Sequence, residues 1–429
     1  MSEINNININ ISLNTLPLSQ KGFGLPLIVG TTQPSNLDLV GAINNVAGYS
    51  LDDDTIAVDG FADSANPIAE GDKFTIAGET GSPEHTVVST TKTGGVTTEI
   101  LFTPALAGAV SDDAVVTVVK ETQDVYVEVT DADDLLQLGY GSSDAEYKMA
   151  QTMFSQSPRI EKLAVCYIPS FSELATKIAE LRNSGKDAWY YLLITSRAKA
   201  DIAIADTYIN TLEKIGVFAS SDQTITSSGE RTMIFITNKT SEYPDAAMVG
   251  KVAGEQVGQV SWDSKQLNGI TNSNVTVSEQ STLLAANFNL IREMGGVDVS
   301  WEGKTMSGQY IDSIISKDYL KARFIEALQS LKINNKKVPF DNRGIGMTEA
   351  SMRNVFDDAG LNGVIKPVLV EDDRQYSDLG KYQYVLTLPG SISEISTANR
   401  SNRIISPIKF TAKLSGSINT FVINGSLEV

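Results

Sequence analysis

The stretch LAVCYIPSFSELATKIAELRNSGKDAWYYLLIT, from Leu163 to Thr195, contains the pattern from which the fold class follows. Its two ends, Leu163 to Ile168 and Trp189 to Thr195, are apolar runs without alternation, which is typical of strands buried on both faces. Between them, Phe171 to Leu181 has the periodicity of an amphipathic helix. Strand, helix and strand in this order predict an α/β layer structure.

The same alternation continues on both sides of this stretch, and Leu27 begins an earlier buried strand. Further elements are predicted at Ala145 to Phe154, Ala198 to Ile215 and Asp245 to Val257 (helices) and at Thr232 to Thr237 (strand). We therefore predict an α/β middle domain formed by residues 27–51 and 123–270.

Residues 52–122 interrupt this domain with short β-type runs separated by turns that contain Gly, Asp and Pro. Acid clusters such as Asp52 to Asp54 and Asp112-Asp113 lie here. About 70 residues is enough for a small domain. We predict an inserted acidic β domain, a small β-sandwich or barrel.

Residues 271–415 are predicted to form a C-terminal α+β domain. A hairpin is expected where Asn287 to Met294 meets Val297 to Trp301 across two glycines. A long amphipathic helix from about Ser316 to Leu331 follows, with Lys317, Lys321 and Arg323 largely on its polar side. The remaining elements are a helix over about Thr348 to Ala359 and strands over Tyr382 to Leu388 and Ile408 to Leu414.

Both chain ends have the alternation of a strand with one apolar face. We predict an N-terminal β arm and hinge over residues 1–26 and a C-terminal β arm over residues 416–429. The apolar faces consist of Ile7, Ile9, Ile11 and Leu13 in the first arm and Phe421, Ile423, Leu427 and Val429 in the second. Because a lone strand leaves its backbone groups unpaired, each arm is expected to pack on its own body or to complete a sheet in another copy.

Few residues are suited to chemistry in this chain of 429 residues, which has one His and one Cys. These counts exclude paired-His zinc motifs, disulfide frameworks and iron–sulfur clusters. His85 is expected at the surface, and Cys166 in the core. The glycine pattern at Gly139 to Gly141 departs from the dinucleotide fingerprint, because Asp144 stands where a third Gly is needed. We predict no catalytic, cofactor-binding or metal-binding residues.

The net charge of −18 is placed unevenly, because residues 1–150 hold 22 acids and 5 bases. This charge argues against nucleic acid as a partner. The first residues lack the basic start and apolar core of a signal peptide, and no apolar run reaches the length of a membrane span. We expect a protein made in the cytoplasm, without direct membrane insertion.

Several stretches together resemble the contractile tail sheath proteins of bacteriophages and related injection machines, specifically a sheath-like phage family with a variable inserted β domain. The resemblance covers roughly residues 1–50 and 123–429 and leaves the insert outside. It rests on GFGLPLIVG (22–30), KQLNGIT (265–271), GGVDVSWEGKT (295–305), SGQYID (307–312), KDYL (317–320) and KVPFDNRGI (337–345).

This resemblance implies a structural protein without a cofactor, located in the virion and assembled in the host cytoplasm. The subunit would polymerise helically by strand exchange between its arms and sheets of neighbouring copies. Contraction would drive the tail tube through the host envelope during genome ejection. The expected partners are further copies, the tail tube protein, and baseplate and terminator proteins. The helix that carries Lys317, Lys321 and Arg323 would lie nearest the tube, and the insert would face outward.

Two other functions stay open from the residues alone. The chain could be another virion structural protein, such as a tail tube or adhesin subunit. A tube protein is expected to be mostly β, and the long α/β middle disfavours it. An α/β enzyme with an accessory β domain ranks last, because no motif selects a pair of catalytic carboxylates.

Overall fold

The structure is a computed structural model that describes residues 22–34, 39–61, 67–119, 126–368 and 381–419. The chain divides into two compact units. The larger unit consists of Gly24–Glu255 and Trp262–Gln309, and the smaller one includes Gln256–Ser261 and the described residues from Tyr310 onward. Mixed α/β sheets together with a closed β-barrel confirm the predicted fold class.

The strands, numbered along the chain, are β1 Pro26–Gly30, β2 Leu39–Ile43, β3 Thr55–Asp59, β4 Lys73–Ile76, β5 His85–Thr93, β6 Val96–Thr103, β7 Val115–Val119, β8 Tyr126–Val129, β9 Leu163–Tyr167, β10 Tyr191–Ile194, β11 Ile215–Ser220, β12 Thr232–Ile236, β13 Leu290–Met294, β14 Val297–Trp301, β15 Tyr384–Thr387 and β16 Lys409–Ala412. The α-helices are α1 Asp133–Gln137, α2 Ala145–Phe154, α3 Leu174–Asn183, α4 Lys199–Ile209, α5 Pro244–Val252, α6 Val277–Ala285, α7 Ile311–Asn334, α8 Asn342–Leu361 and α9 Thr397–Ser401.

The larger unit is organised around a six-stranded sheet with the order β12-β11-β10-β1-β9-β8. Its strands run parallel except for β8, which pairs antiparallel with β9. Alternate strand residues such as Leu27 and Val29 pack with residues of α3 and α4 in one apolar core. Helices α2 and α5 contact strands of the same sheet and each other. Because helices pack on them, the strands β1, β10, β11 and β12 are buried along their whole length.

Strand β11, like β8, is an element of this sheet that the sequence analysis did not predict. The helix predicted to reach Ile215 ends at Ile209, and all six residues of β11 are buried. Asn210 fixes this end: its side-chain nitrogen Nδ2 donates to Asp206 Oδ1, one turn back, at 2.8 Å, and its Oδ1 accepts a tertiary hydrogen bond from the Arg231 backbone N–H at 2.9 Å. The helical periodicity of the sequence contains no sign of these bonds.

The insert is a closed barrel with the strand order β2-β3-β6-β5-β4-β7. Its inward-facing residues form a core separate from that of the six-stranded sheet. The barrel begins at Leu39 rather than at residue 52, because β2 pairs with both β3 and β7 and thereby closes it. Ile43, which the sequence analysis placed in the middle domain, is fully buried in this core.

The C-terminal segment is divided between the two units. The predicted hairpin is confirmed as β13–β14, where Gly295 and Gly296 have φ values of 61° and 83°. Such positive values suit glycine in a two-residue turn. The hairpin belongs to the larger unit, whereas α7, α8, β15 and β16 belong to the smaller one. Helix α7 begins at Ile311, five residues before the predicted start, because buried isoleucines extend its apolar stripe.

Candidate assembly surfaces

The described part of the smaller unit contains a two-stranded antiparallel sheet in which β15 pairs with β16. In its register Tyr384 lies opposite Ala412, and Leu386 lies opposite Phe410. These four side chains share one face because residues directly opposite each other project to the same side. Tyr384 and Leu386 are buried. The sheet therefore has an inner face that packs on its own unit.

Aromatic side chains attach this face to the two long helices. The ring of Tyr384 stacks on Phe356 of α8, with 4.2 Å between centroids. Phe410 contacts Phe324 of α7 at 5.2 Å and Phe356 at 5.4 Å. Such rings anchor the strands through apolar burial and edge-to-face contacts.

Strand β16 lies at an edge of this sheet, and it pairs with β15 alone among the described residues. Lys409, Phe410 and Thr411 are exposed. Phe410 is 46% exposed although it points to the inner face. An apolar residue half covered at an unpaired edge indicates where an additional strand can bind.

The predicted arm residues lie outside the described part of the chain. They are Ile7, Ile9, Ile11, Leu13, Phe421, Ile423, Leu427 and Val429. Their role in strand exchange stays a prediction.

The three basic residues of the candidate tube-facing helix are in different environments. Lys317 and Lys321 are exposed and lie one turn apart on α7. Arg323 is partly buried, donates to Glu326 at 2.5 Å and lies over the Tyr319 ring at 4.9 Å. Arg323 therefore packs against its own helix.

A groove of about 500 Å³ lies between α7 and α8 and is open to solvent. Its lining is mostly small or polar and includes Ala327, Ser330, Ser351 and Asn354. Asp358 is the ionisable side chain among its lining residues. Asp358 is thus the lining residue that could act as a general acid or base in this groove.

The expectation that His85 lies at the surface is wrong. The side chain is fully buried in the barrel, where Nε2 lies 2.7 Å from Glu79 Oε2. Because β5 begins at His85 and its register directs this residue inward, the strand position outweighs the polar neighbourhood in the sequence. Cys166 is buried in the sheet as predicted, and burial raises the pKa of its thiol to about 12.

Two acidic side chains, one on α2 and one on α5, are buried, and no pattern in the sequence predicts their burial. Asp245 is fully buried and pairs with Arg197, whose guanidinium lies 5.1 Å from the centre of the Tyr243 ring. Glu146 is also buried; its Oε1 accepts from the Thr32 N–H at 3.0 Å, and burial raises its pKa. Within the described ranges, no group of three potential ligands is placed to hold a metal ion. No helix described here combines the length and the apolar character needed to cross a membrane.

Comparison with known proteins identifies the fold through structure alone. No family model and no curated protein sequence matches the chain. A chain in the cryo-EM structure of the anti-feeding prophage baseplate, averaged with six-fold symmetry, is similar over 100% of both chains, with a TM-score of 0.54 and 11% identity. A chain of the contracted sheath complex of the extracellular contractile injection system PVC is similar over 72% of this chain and 88% of its own length, again with a TM-score of 0.54 and 11% identity. The chain therefore shares its fold with a chain of a prophage baseplate and with a chain of a contractile injection system sheath complex.

Proposed function

We propose that the chain is a structural subunit of a phage-tail-like contractile structure, and specifically its sheath subunit. The observation that carries this proposal is the fold likeness over the whole chain to a chain of the anti-feeding prophage baseplate. The likeness to a chain of a contracted sheath complex supports the sheath role. In this role the subunit polymerises helically around a tail tube, and its contraction drives the tube through the host envelope as the genome is ejected.

Strand exchange at β16 is the proposed means of assembly. An arm with apolar residues at alternate positions, such as Ile7, Ile9 and Ile11, can pair with the edge of β16 in a neighbouring copy. Its apolar face then covers the exposed part of Phe410. The arm and β16 would be joined by backbone hydrogen bonds, which do not depend on the side chains of either strand. These bonds can therefore stay in place while the side-chain contacts between subunits change during contraction.

The same proposal assigns a partner or an orientation to helix α7 and to the barrel. Lys317 and Lys321 are exposed on α7 and are proposed to face the tail tube protein. The barrel, whose described residues hold 11 acids and 2 bases, is proposed to face outward, where solvent and salt screen the repulsion between copies. Baseplate and terminator proteins are the proposed partners at the two ends of the polymer. The proposed location is the virion, with assembly in the host cytoplasm, and the proposed mechanism needs no enzyme activity or cofactor.

Electron microscopy of the concentrated purified protein tests the proposal. We expect rings or tubes from the full chain, and a folded, unassembled protein after removal of residues 1–16. Circular dichroism of the shortened chain checks its fold. A full chain that stays monomeric over a wide range of salt and protein concentrations would refute the sheath role.

A second candidate is a baseplate subunit, which is favoured by the full coverage of the similar baseplate chain. A subunit of this kind assembles only to a fixed small number of copies, whereas a sheath subunit adds copies without a fixed limit. Mass photometry across a concentration series separates the two. One discrete ring mass supports the baseplate role, and a rising length distribution supports the sheath role.

A further inference from the structure

The sequence Leu-Asn-Gly occurs twice in the described residues, at Leu267 to Gly269 and at Leu361 to Gly363, each time followed by a β-branched residue. An asparagine before glycine loses its side-chain amide readily, because glycine has no Cβ to hinder attack by its own nitrogen and adopts many backbone conformations. Since the flanking residues are so similar, both sites should react alike in an unfolded chain. A difference between them in the folded protein is then a consequence of the structure.

The first site is the tip of an exposed turn. The Ile270 N–H donates to the Leu267 carbonyl at 3.3 Å, and Gly269 has a φ of 74°, as at the third position of a type II turn. Asn268 and Gly269 are exposed. Among the described residues, the Gly269 N–H has no hydrogen-bond acceptor, and no atom beyond the adjacent residues lies within 4 Å of the point where a Cβ on Gly269 would stand. This nitrogen is therefore free to turn toward the side chain of Asn268.

The second site follows the end of α8 and is held in place. The Gly363 N–H donates to the Gly360 carbonyl at 3.0 Å. Gly258 lies against the same peptide, because a Cβ on Gly258 would stand 2.6 Å from the Asn362 carbonyl oxygen. The Gly363 nitrogen cannot turn toward Asn362 without breaking its hydrogen bond and displacing this packed backbone.

We propose that Asn268 is a site of spontaneous deamidation in the folded protein, whereas Asn362 is protected until the chain unfolds. The Gly269 nitrogen gives up its proton to water and attacks Asn268 Cγ. The new N–Cγ bond forms, the Cγ–Nδ2 bond breaks, and ammonia leaves with a proton taken from water. The resulting succinimide ring adds water at either of its two carbonyl carbons and opens to aspartate or isoaspartate. The inference does not depend on the proposed assembly role.

Three hydrogen bonds connect Asn268 to the residues that follow α2. The Asn268 N–H donates to Gln156 Oε1 at 2.8 Å, and the Asn268 carbonyl accepts from Gln156 Nε2 at 3.0 Å. The side-chain Nδ2 donates to the Ser155 carbonyl at 3.1 Å, and this third bond is the one that involves the reacting amide. One exposed bond between neutral groups slows cyclisation by about tenfold at most.

Deamidation would loosen this connection. An aspartate at position 268 replaces the Nδ2 donor with a carboxylate oxygen, so two acceptors face each other at the Ser155 carbonyl. Isoaspartate also adds a methylene to the backbone and displaces the groups that Gln156 binds. Because Gln156 is 3% exposed, its Oε1 is then left buried without a donor. We expect the segment from Trp262 to Ile270 to open more often as a result.

Peptide mass spectrometry of the full chain during incubation at pH 8 and 37 °C measures both sites in one sample. Trypsin places Asn268 in the peptide 266–292 and Asn362 in the peptide 354–374, and fragment spectra identify which asparagine has reacted. In the native protein we expect Asn268 to react at least about tenfold faster than Asn362, since the latter must first break the Gly363 hydrogen bond and its packing. In urea the two rates should become similar.

Two variants examine the chemistry and its consequence. Asn268→Gln retains an amide but would have to close a larger ring, so position 268 should stay unmodified. Asn268→Asp reproduces one product, and hydrogen–deuterium exchange between Trp262 and Ile270 should be faster than in the wild type. Equal native rates at Asn268 and Asn362 would overturn the proposal, and so would an Asn268 that reacts only after unfolding. Both of these results come from the wild-type protein, so they stand even if a variant does not fold.

Discussion

Truncation of Phe410 to alanine tests whether the edge of β16 receives a strand from another copy. An aromatic side chain of this kind covers about 200 Å² when fully buried. Since Phe410 is 46% exposed, roughly 90 Å² stays available to a partner. At about 25 cal/mol per Å², covering that area contributes about 2.3 kcal/mol to each contact. Phe410→Ala should therefore raise the critical concentration for assembly roughly 40-fold.

The assay is sedimentation of polymer as a function of protein concentration. The substitution also removes the contacts of Phe410 with Phe324 and Phe356, so thermal unfolding of the unassembled protein has to show that the subunit stays folded. Met294→Ala is a matched control, because Met294 is 42% exposed on a different two-stranded hairpin. Polymerisation of a folded Phe410→Ala protein at the wild-type concentration would refute strand addition at β16.

Three further perturbations have definite expected outcomes. Replacing Ile9 and Ile11 with Asp should abolish tubes in electron micrographs and leave the body folded, because a charged side chain cannot be buried on the apolar face of a donated strand. Cys166, whose thiol pKa burial raises to about 12, should resist thiol reagents at pH 8 in the native protein and react once the protein is unfolded. Removal of residues 39–119 should leave a soluble protein that still assembles, whereas removal of 52–119 should cause aggregation, because β2 then loses both of its neighbouring strands.

Each of these outcomes has a control that isolates its cause. Asp at Asn8 and Asn10 adds the same charge to the opposite face of the arm and should be tolerated. For Cys166, labelling of the native protein at the rate of the denatured one would show that the thiol is accessible. For the barrel, equal solubility of the two deletions would contradict the pairing of β2.

Apolar periodicity was a sufficient signal for much of the fold. The runs at Leu163 and Trp189 predicted buried strands because strands covered on both faces have no reason to alternate. The paired glycines at 295 and 296 predicted the hairpin because few other residues adopt positive φ values in a short turn. The same reasoning failed at β11, where the helical period continues past Ile209 and hydrogen bonds from distant residues stop the helix.

The candidate assembly surfaces were harder to predict from the sequence than the fold. Phe410 lies within the strand predicted over Ile408 to Leu414, but its partial exposure depends on which residues of α7 and α8 reach it and on the position of β16 at an edge. Arg323 was grouped with Lys317 and Lys321 by its place on the helix, and only its contacts with Glu326 and Tyr319 set it apart.

An α/β protein with an acidic β insert and little material for catalysis can be predicted from the sequence, because periodicity, charge and composition are local or additive properties. Closure of the insert into a barrel from Leu39 and burial of His85 against Glu79 become visible in the folded chain. Both have one cause. Barrel closure and the pairing of buried charges depend on contacts between residues far apart in the chain, and no local pattern encodes which distant residue completes them.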